Sequence, residues 1–454
     1  CIEWLVGSGK GTAFNQIWRE LGAVQGRQIV DHAIYLSIEG QEGKVFNIYT
    51  NIDRLERHMK DLSPQDGDLI ESFCSAARRT TRLADALGDM NASGLLAKLK
   101  MGLKMLPLMG LFRKYSKLST REFAARFQDP FLRRAFAAIV DLPDFPMMAL
   151  LMMLAWMHDR DAGYPIGGSL AFARAIEQRY LDLGGEIHYK SRVEKILTAN
   201  DRAVGVRLND GTEHYADAET GASAVISAAD GHATIFDMLD GKYLDDTIRG
   251  YYDQLPLFPS WVQVSLGVAR DVADLPHAVS YPLDQPLTIG GRQETRIMFR
   301  HFGFDPTAAP EGKSAIVAMF MADYDYWKAL AEDRERYEAE KKDIAIKVID
   351  ALDARLPGLA EQIDVIDVST PLTVKRYTNN WQGSMEGWLI TTETFGMAMG
   401  KGMKKTLPGL ENFYMVGQWV EPGGGVPTAA MSGREVIKDN FPRATRTFTA
   451  AAPA

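Results

Sequence analysis

The segment from Asn412 to Arg434 constrains the fold more than any other part of the chain. A short apolar run, 413–416, ends at Gly417, a glycine-dense loop follows, and a helix is predicted to begin near Pro427. An ordinary strand-to-helix turn does not need three consecutive glycines, which stand here at 423–425. The first turn of a helix offers free N–H groups and the positive end of a dipole, and glycines let the backbone approach a ligand closely. The segment therefore predicts a site for an anionic or electron-accepting group.

Two other glycine-rich segments, 7–12 and 164–169, give weaker signals. The first ends in Gly-Lys-Gly-Thr, but Trp4 stands where a triphosphate-binding loop needs its first glycine. Its glycines also miss the G-x-G-x-x-G spacing, and no complete dinucleotide fingerprint occurs in the sequence. The second segment is typical of a turn that leads into a helix, with Ser169 as the predicted N-cap.

The hydrophobic periodicity predicts a mixed α/β order along the chain. Predicted strands are 31–37, 44–49, 186–189, 193–197, 203–208, 213–215, 224–227, 261–268, 295–301, 315–321, 363–368, 372–377 and 413–416. Predicted helices are 12–21, 169–183, 334–355 and 427–438, and the stretch from about 52 to 160 is predicted to be mainly helical.

Composition removes several classes of partner. The 51 Lys and Arg against 59 Asp and Glu give a formal charge of −8, which repels phosphate polymers, so we expect no nucleic-acid partner. Two cysteines, Cys1 and Cys74, make neither a disulfide framework nor a cysteine-rich zinc site, and we expect no metal. The longest strongly apolar run, 145–157, is shorter than the roughly 20 residues that cross a bilayer. His158 and His301 are candidates for an acid or a base, although a lone histidine is more often structural.

One stretch reverses the acidic character of the chain. Between Asp89 and Glu122 there is no acidic residue. Seven basic residues lie there: Lys98, Lys100, Lys104, Arg113, Lys114, Lys117 and Arg121. Mixed with many leucines, they suit a helix lying among lipid headgroups, and they equally suit an ordinary helix with one solvated face, because Pro107 and Gly110 interrupt any single long helix. We expect a cytoplasmic protein with a candidate peripheral membrane contact at 90–121.

The segment Leu410–Arg434 resembles the carboxy-terminal flavin motif of the phytoene desaturase, carotenoid isomerase and retinol saturase group. These are FAD-dependent oxidoreductases within the wider flavin amine oxidase superfamily. Four other regions resemble the same group in the expected order. Their matching stretches are 4–9 with 12–14, then 164–170, then 184–187, 193–196, 203–206 and 224–230, and last 370–371 with 383–387. The resemblance covers nearly the whole chain and is less specific to any one substrate.

The resemblance implies two interleaved domains in a mixed α/β fold. The FAD-binding, Rossmann-like domain would comprise 1–30, 161–240 and 396–441. The substrate domain would comprise 31–160 and 241–395, with a mixed sheet and a helical insert at 60–160, and 442–454 would form a flexible tail. The family's opening strand–GxGxxG–helix unit and its ribose-binding acidic residue would precede Cys1, so we expect the FAD-binding domain to be incomplete at its N-terminus.

The resemblance also implies roles for particular residues. Val193 would place its backbone against the adenine, and Ala228 would lie beside the cofactor. The remaining cofactor positions would be Gly417 and Gln418 at the phosphate and ribityl region, and Gly424, Gly425, Val426 and Pro427 along the flavin ring. The substrate-side candidates are Tyr377, Trp381 and Glu386.

The activity implied by the resemblance is desaturation, saturation or isomerisation of a long apolar isoprenoid, such as a carotenoid or retinoid, with hydride chemistry at flavin N5. Such substrates carry no ionisable group, so a triad of charged catalytic residues is not required. The methionines of the apolar run 145–157 could line a substrate tunnel, but core packing is the favoured interpretation. Two alternatives remain open: a flavin amine oxidase, which should show an aromatic cage, and a non-catalytic escort of prenylated or lipid ligands with the same fold.

Because the pyrophosphate clamp of the opening unit would precede Cys1, we expect this chain to retain FAD weakly or not at all. Purification of the 454-residue chain followed by a visible absorption spectrum tests this prediction. A stoichiometric flavin spectrum would contradict it.

Overall fold

The computed structural model describes residues 3–88, 108–216, 223–400 and 402–441. Helices and strands alternate along the chain as predicted, and the mixed α/β fold is confirmed. The chain divides into two compact units, one of Cys1–Arg179 and Trp261–Thr370, the other of Tyr180–Ser260 and Pro371–Ala454. These bounds differ from those of the domains implied by the resemblance, whose assignment to flavin and substrate stays a prediction.

The strands are β1 (Leu5–Val6), β2 (Ile29–Val30), β3 (Ile34–Glu39), β4 (Val45–Tyr49), β5 (Ala162–Pro165), β6 (Val193–Ala199), β7 (Arg202–Leu208), β8 (Glu213–Tyr215), β9 (Val225–Ser227), β10 (Ser260–Val268), β11 (Ala278–Ile289), β12 (Arg292–His301), β13 (Ser314–Ala322), β14 (Ile363–Ser369) and β15 (Phe413–Met415). Besides a helical segment at 108–115, the α-helices of the described residues are α1 (Ala13–Glu20), α2 (Ile52–Leu62), α3 (Gly67–Gly88), α4 (Thr120–Ala124), α5 (Pro130–Ala137), α6 (Met147–His158), α7 (Gly168–Asp182), α8 (Asp246–Gln254), α9 (Tyr324–Leu330), α10 (Arg334–Arg355), α11 (Pro371–Thr378), α12 (Phe395–Ala398) and α13 (Val426–Asn440).

A seven-stranded mixed sheet of order β14-β10-β13-β12-β11-β3-β4 forms the centre of the first unit. Strands β3 and β11 run parallel, whereas β3 with β4 and β11 with β12 pair antiparallel. Every second residue of β10 is buried, which places one face of this strand in the core. Helix α10 packs against β11 and β14. The Tyr281 hydroxyl of β11 donates to the Ala351 carbonyl of this helix at 2.8 Å.

The glycine-rich segment 7–12 lies in the first unit, where β5 pairs with both β1 and β2. A carboxylate of the chain itself occupies the loop: Asp161 Oδ1 accepts hydrogen bonds from Gly9 N at 2.9 Å and from Thr12 Oγ1 at 3.1 Å. Burial raises the pKa of Asp161 to about 6. The loop therefore binds a side chain at the position where a phosphate-binding loop would hold an anion.

The described part of the stretch 52–160 is mainly helical, as predicted. Asp66 holds two of its segments together, because its carboxylate accepts from Gln128 N at 2.8 Å, from Asp129 N at 3.1 Å and from Ser63 Oγ at 2.6 Å. Helix α6 lies in the core, and its methionines are at most 8% exposed. This burial agrees with the core-packing interpretation of these methionines.

The second unit contains two small sheets. Strands β6, β7 and β8 form an antiparallel meander. Strands β9 and β15 pair in parallel, with Phe413 opposite Val225 and Met415 opposite Ser227. A short π-helical turn, Ala233–Met238, follows β9.

Two predicted strands are wrong. Residues 186–189 form no strand, and their side chains are exposed. No apolar face of this segment is buried, so side-chain packing does not stabilise a strand there. Residues 372–377 are helical within α11, where Pro371 is the first helical residue and its fixed φ suits that position. Strand β11 was not predicted because Pro282 and Pro286 fall in it, and prolines cannot donate to a ladder. The pairing with β12 shifts register between Pro282 and Leu287, which accommodates them.

Helix α7 begins at Gly168, so Ser169 lies in its first turn rather than at the predicted N-cap position. This difference of one residue leaves the predicted turn and helix otherwise in place.

The predicted membrane contact at 90–121 lies partly outside the described residues, which resume at Leu108. Residues 108–115 are helical, with Leu108 and Leu111 buried and Met109 61% exposed. Arg113, Lys114, Lys117 and Arg121 are exposed. Among the described residues, no helix combines the length and the apolar character that crossing a bilayer requires.

Candidate functional site

The candidate site begins where the two parallel strands of the second unit end. Val416 N continues the pairing by donating to Ser227 O at 2.9 Å, and the chain then turns at Gly417, whose φ is +95°. A Cβ on Gly417 would lie 3.9 Å from the carbonyl oxygen of Ala228. The two residues are therefore neighbours at the carboxyl ends of parallel strands, which is the edge where α/β sheets bind their ligands.

The glycine-dense loop delivers the chain to the N-terminus of α13. Gly423, Gly424 and Gly425 have φ values of +94°, +56° and +83°, a region that favours glycine. Gly425 occupies the N-cap position, no side chain caps the helix, and a proline lies in its first turn. The backbone N–H groups at the start of this 15-residue helix are thus available to a ligand in the way the sequence predicts.

Two side chains, those of Ser432 and Gln418, hold the loop by hydrogen bonds. Ser432 Oγ on α13 accepts from Gly417 N at 2.8 Å and donates to Ala429 O at 2.7 Å, which joins the strand end to the helix. Gln418 Nε2 donates to Asn380 Oδ1 at 3.1 Å. The Gly417 N–H and the side-chain amide of Gln418 thus already donate hydrogen bonds within the protein. Their predicted contact with FAD would use other atoms of these residues or would require these hydrogen bonds to break.

Asp230 joins the end of β9 to the segment after α11. Its Oδ1 accepts from Ala233 N and its Oδ2 from Trp381 N, both at 2.7 Å. The carboxylate is 3% exposed, and burial raises its pKa. The Trp381 ring stacks on His232 with 4.8 Å between centroids and 15° between planes. Trp381 is therefore held at both its backbone and its ring.

Glu386 lies against the glycine-dense loop. Ser384 Oγ accepts from Gly387 N at 3.1 Å and tightens the turn that carries Glu386. A Cβ on Gly424 would lie 2.6 Å from Glu386 O and 3.3 Å from Glu386 Oε2, so only glycine permits this approach. Burial raises the pKa of Glu386 to about 7. A carboxyl group with this pKa exchanges protons near neutral pH.

The structure brings most of the predicted positions together. Ala228, Gly417, Gln418, the residues 424–427 and Glu386 belong to the strand ends and the loop just described, and Trp381 joins them through Asp230. Val193 begins β6, on the other sheet of the unit, opposite Leu208. Tyr377 lies on α11 and is 76% exposed, with the Arg376 guanidinium over its ring; among the contacts described, none joins it to the glycine-dense loop. Each predicted role toward FAD or substrate stays a prediction.

Four residues of this arrangement were not predicted as site residues: Asp230, His232, Asn380 and Ser432. Asp230 carries a local signal, since an aspartate shortly after a strand and three residues before a helical turn is a typical cap. The other three are recognised only from contacts between segments far apart in sequence. Among the described residues, no group of three or more histidine, cysteine or acidic side chains could hold a metal ion.

Comparison with known proteins places this geometry in a family. The family described as flavin containing amine oxidoreductase matches residues 8–436. A chloroplastic prolycopene isomerase of Arabidopsis thaliana is 29% identical over 304 residues, 63% of this chain and 47% of that protein. A neurosporene-forming phytoene desaturase of Rhodobacter capsulatus is 26% identical over 473 residues, 96% of this chain and 84% of that protein. The chain thus spans about half the length of the prolycopene isomerases that it matches.

Solved structures support the fold. An oxidoreductase from Methanosarcina mazei superimposes with a TM-score of 0.55 at 16% identity, covering 96% of this chain and 87% of that one. A cyclohexylamine oxidase from Brevibacterium oxydans gives a TM-score of 0.51 at 12% identity, with 96% and 87% covered. At these identities the similarity concerns the fold alone.

The match over 8–436 and the observed loop geometry agree. The family match gives FAD as the cofactor of this chain. An uncapped helix N-terminus after glycines with positive φ is an arrangement that can receive an anionic or electron-accepting group. The resemblance to the carotenoid desaturase and isomerase group within the flavin amine oxidase superfamily is confirmed. The chain belongs to the flavin containing amine oxidoreductase family.

Proposed function

We propose that this protein is an FAD-dependent oxidoreductase that desaturates, saturates or isomerises a long apolar isoprenoid of the carotenoid or retinoid type. The observation that carries the proposal is the apposition of Glu386 and Gly424 at the uncapped start of α13. The names of the relatives supply the substrate class, since a prolycopene isomerase and a phytoene desaturase are among them. The phytoene desaturase match extends over 96% of this chain, which supports a common architecture.

In the proposed reaction, Gly424, Gly425, Val426 and Pro427 hold the flavin ring at the start of α13. Bound FAD supplies hydride acceptance or donation. The positive end of the helix dipole stabilises negative charge beside these residues. The Glu386 carboxylate takes up the proton that a C–H bond releases when a double bond is formed, and its protonated form returns a proton in the reverse direction. An apolar substrate offers no charged handle, so the surrounding protein orients it and excludes water.

The amine oxidase alternative rests on fold similarity to proteins such as cyclohexylamine oxidase. The escort alternative requires an apolar pocket without flavin chemistry, and the intact glycine-dense loop argues against it. Both alternatives are distinguished from the proposal by the substrate experiment below.

We further propose that 90–121 contacts the membrane surface from which an apolar substrate is taken. The described part supports this with the exposed basic residues Arg113, Lys114, Lys117 and Arg121 beside the exposed Met109. Basic side chains and one apolar residue are the features that bind an anionic lipid surface.

Anaerobic flavin reduction tests the substrate class. Protein reconstituted with excess FAD is mixed with phytoene in detergent micelles or with putrescine and cyclohexylamine. We expect bleaching of the flavin absorbance with the polyene precursor and none with the amines. Reduction by an amine alone would favour the amine oxidase. The escort would be favoured if no substrate reduced the bound FAD and if the absorption spectrum of the polyene also stayed unchanged with both oxidised and chemically reduced FAD, since saturation and isomerisation change the polyene without reducing oxidised flavin.

Gly424→Ala is expected to weaken FAD binding at least about tenfold, equivalent to about 1.4 kcal/mol. The added Cβ would lie 2.6 Å from a backbone oxygen, and the φ of +56° strains any residue with a side chain. Titration of FAD, followed by flavin fluorescence quenching, measures the change. Gly433→Ala on the same helix is the matched control, because its Cβ would meet no atom within 4 Å. Equal FAD affinities for the two variants would contradict the proposed role of the loop.

Glu386→Gln is expected to lower the rate of flavin reduction about 100-fold while FAD affinity stays within about twofold. In desaturation the ionised carboxylate accepts a proton, so the wild-type rate should rise as pH increases through about 7, the raised pKa of this group. In a stopped-flow pH profile between 5.5 and 8.5, the rate of flavin reduction by the Gln variant should not show this rise near pH 7. An unchanged profile would exclude Glu386 as the proton acceptor, and Glu393→Gln is the control substitution.

A further inference from the structure

A cavity in the first unit is separate from the loop and strand ends described above. Its walls come from the start of β11, the end of β12, β5 and the chain before β1 and β3. The residues that matter for its chemistry are Trp4, His32, Tyr164, His277, Phe302 and Phe304. Most of this surface is aromatic, so it suits an apolar ligand.

Two imidazoles are stacked in the wall of this cavity. The rings of His32 and His277 are 3.6 Å apart at their centroids with 15° between planes, and Phe304 packs edge-on against His32 at 4.4 Å. Burial, with a smaller contribution from His301, lowers the pKa of His32 to about 4. Burial, with smaller contributions from His32 and then His301, lowers the pKa of His277 to about 3. Both rings are therefore neutral at pH 7, and each neutral ring has one hydrogen-bond donor and one acceptor.

His32 has hydrogen-bonding capacity that the protein does not use. Its Nε2 is buried and has no hydrogen-bond partner in the described part of the chain. His301 differs, since its Nε2 bonds to Leu275 O at 3.0 Å and its Nδ1 accepts from Gly303 N at 3.2 Å. The Tyr164 hydroxyl is also engaged, because it donates to Asp305 Oδ2 at 2.9 Å. Buried polar atoms are normally paired, so an unpaired one on a residue that lines a cavity indicates a missing partner.

The surroundings of the two imidazoles disfavour charge. Arg300, the cation in the cavity wall, already forms an ion pair with Glu3. Burial raises the pKa of the Asp31 carboxyl, and the positive charge of Arg160 acts in the opposite direction. Tyr35 is neutral, since burial raises its pKa to about 12. A neutral polar group is therefore the ligand chemistry that the neutral imidazoles fit.

We propose that this cavity binds the oxygenated end, a hydroxyl or a carbonyl, of an otherwise apolar ligand through a hydrogen bond to the His32 imidazole. The inference deepens the proposed function and rests on it for the isoprenoid skeleton of the ligand. It specifies that, among isoprenoids of the same skeleton, the protein prefers one that carries oxygen at one end over the hydrocarbon.

Four C15 isoprenoids that differ only at the terminus test the proposal: farnesol, farnesal, farnesoic acid and farnesene. Binding to the FAD-reconstituted protein is measured by quenching of tryptophan fluorescence. We expect the alcohol or the aldehyde to bind about tenfold more tightly than the hydrocarbon and the acid. His32→Phe, which keeps an aromatic ring against His277, should reduce the affinity for the oxygenated ligand to that for farnesene and leave farnesene unchanged.

His214→Phe, at an exposed position of β8, is the matched control and should change none of the four affinities. Should His32→Phe fail to fold, His32→Gln retains a donor and an acceptor and should keep the preference for oxygen. The proposal is overturned if the four ligands bind equally, if none binds, if farnesene or the acid binds best, or if His32→Phe weakens all four alike. Chemical change of the polyene with oxidised and with reduced FAD is read separately, so its absence beside a selective oxygenated ligand would refute the proposed function and leave this inference standing.

Discussion

The carboxylate of Asp230 is the interaction on which the candidate site depends. It accepts hydrogen bonds from Ala233 N and Trp381 N and so ties the end of β9 to a segment 151 residues later in the chain. Without it, two buried N–H groups would lose their acceptor, which costs about 1–3 kcal/mol each. The turn that carries Glu386 follows Trp381 directly, so its position against Gly424 is set by this anchor.

The same device recurs in the first unit, where three other buried aspartates bind backbone N–H groups of irregular segments. Asp66 accepts from two consecutive residues before α5, Asp161 fills the loop before α1, and Asp305 accepts from Gly167 N at the turn before α7. Each is at most 4% exposed. Buried backbone N–H groups need a hydrogen-bond acceptor. Where no neighbouring strand or helix carbonyl supplies one, a carboxylate accepts the hydrogen bond. Glu386 differs from these anchors, since it lies against Gly424 of the glycine-dense loop and its pKa is raised to about 7, which suits proton exchange.

Local pattern predicted those parts of the fold in which neighbouring residues agree. Helix α10 is found at 334–355 as predicted, and the pairs β3–β4 and β6–β7 follow from alternating apolar residues and their turns. Strand β11 was not predicted and 372–377 was predicted in the wrong state, because proline position and tertiary pairing outweigh propensity there. The glycine-dense loop was predicted as a ligand site because positive φ values and a helix start have a sequence signature. The contact of Glu386 with Gly424 has none, since it joins two turns that are distant in sequence.

The sequence by itself determined the family, the glycine-dense loop and the helix that follows it, because glycine spacing and the strand-to-helix transition are local properties of the chain. The tertiary structure decided which polar groups are paired and which are left over. The sequence of 7–12 resembles an anion-binding loop, but in the structure the Asp161 carboxylate accepts the hydrogen bonds of this loop. His32, His277 and His301 lie far apart in the sequence. In the structure the rings of His32 and His277 stack, and both ring nitrogens of His301 are hydrogen-bonded. Whether a side chain supports the fold or faces a ligand depends on its burial and its partners, and both are set only when distant segments meet.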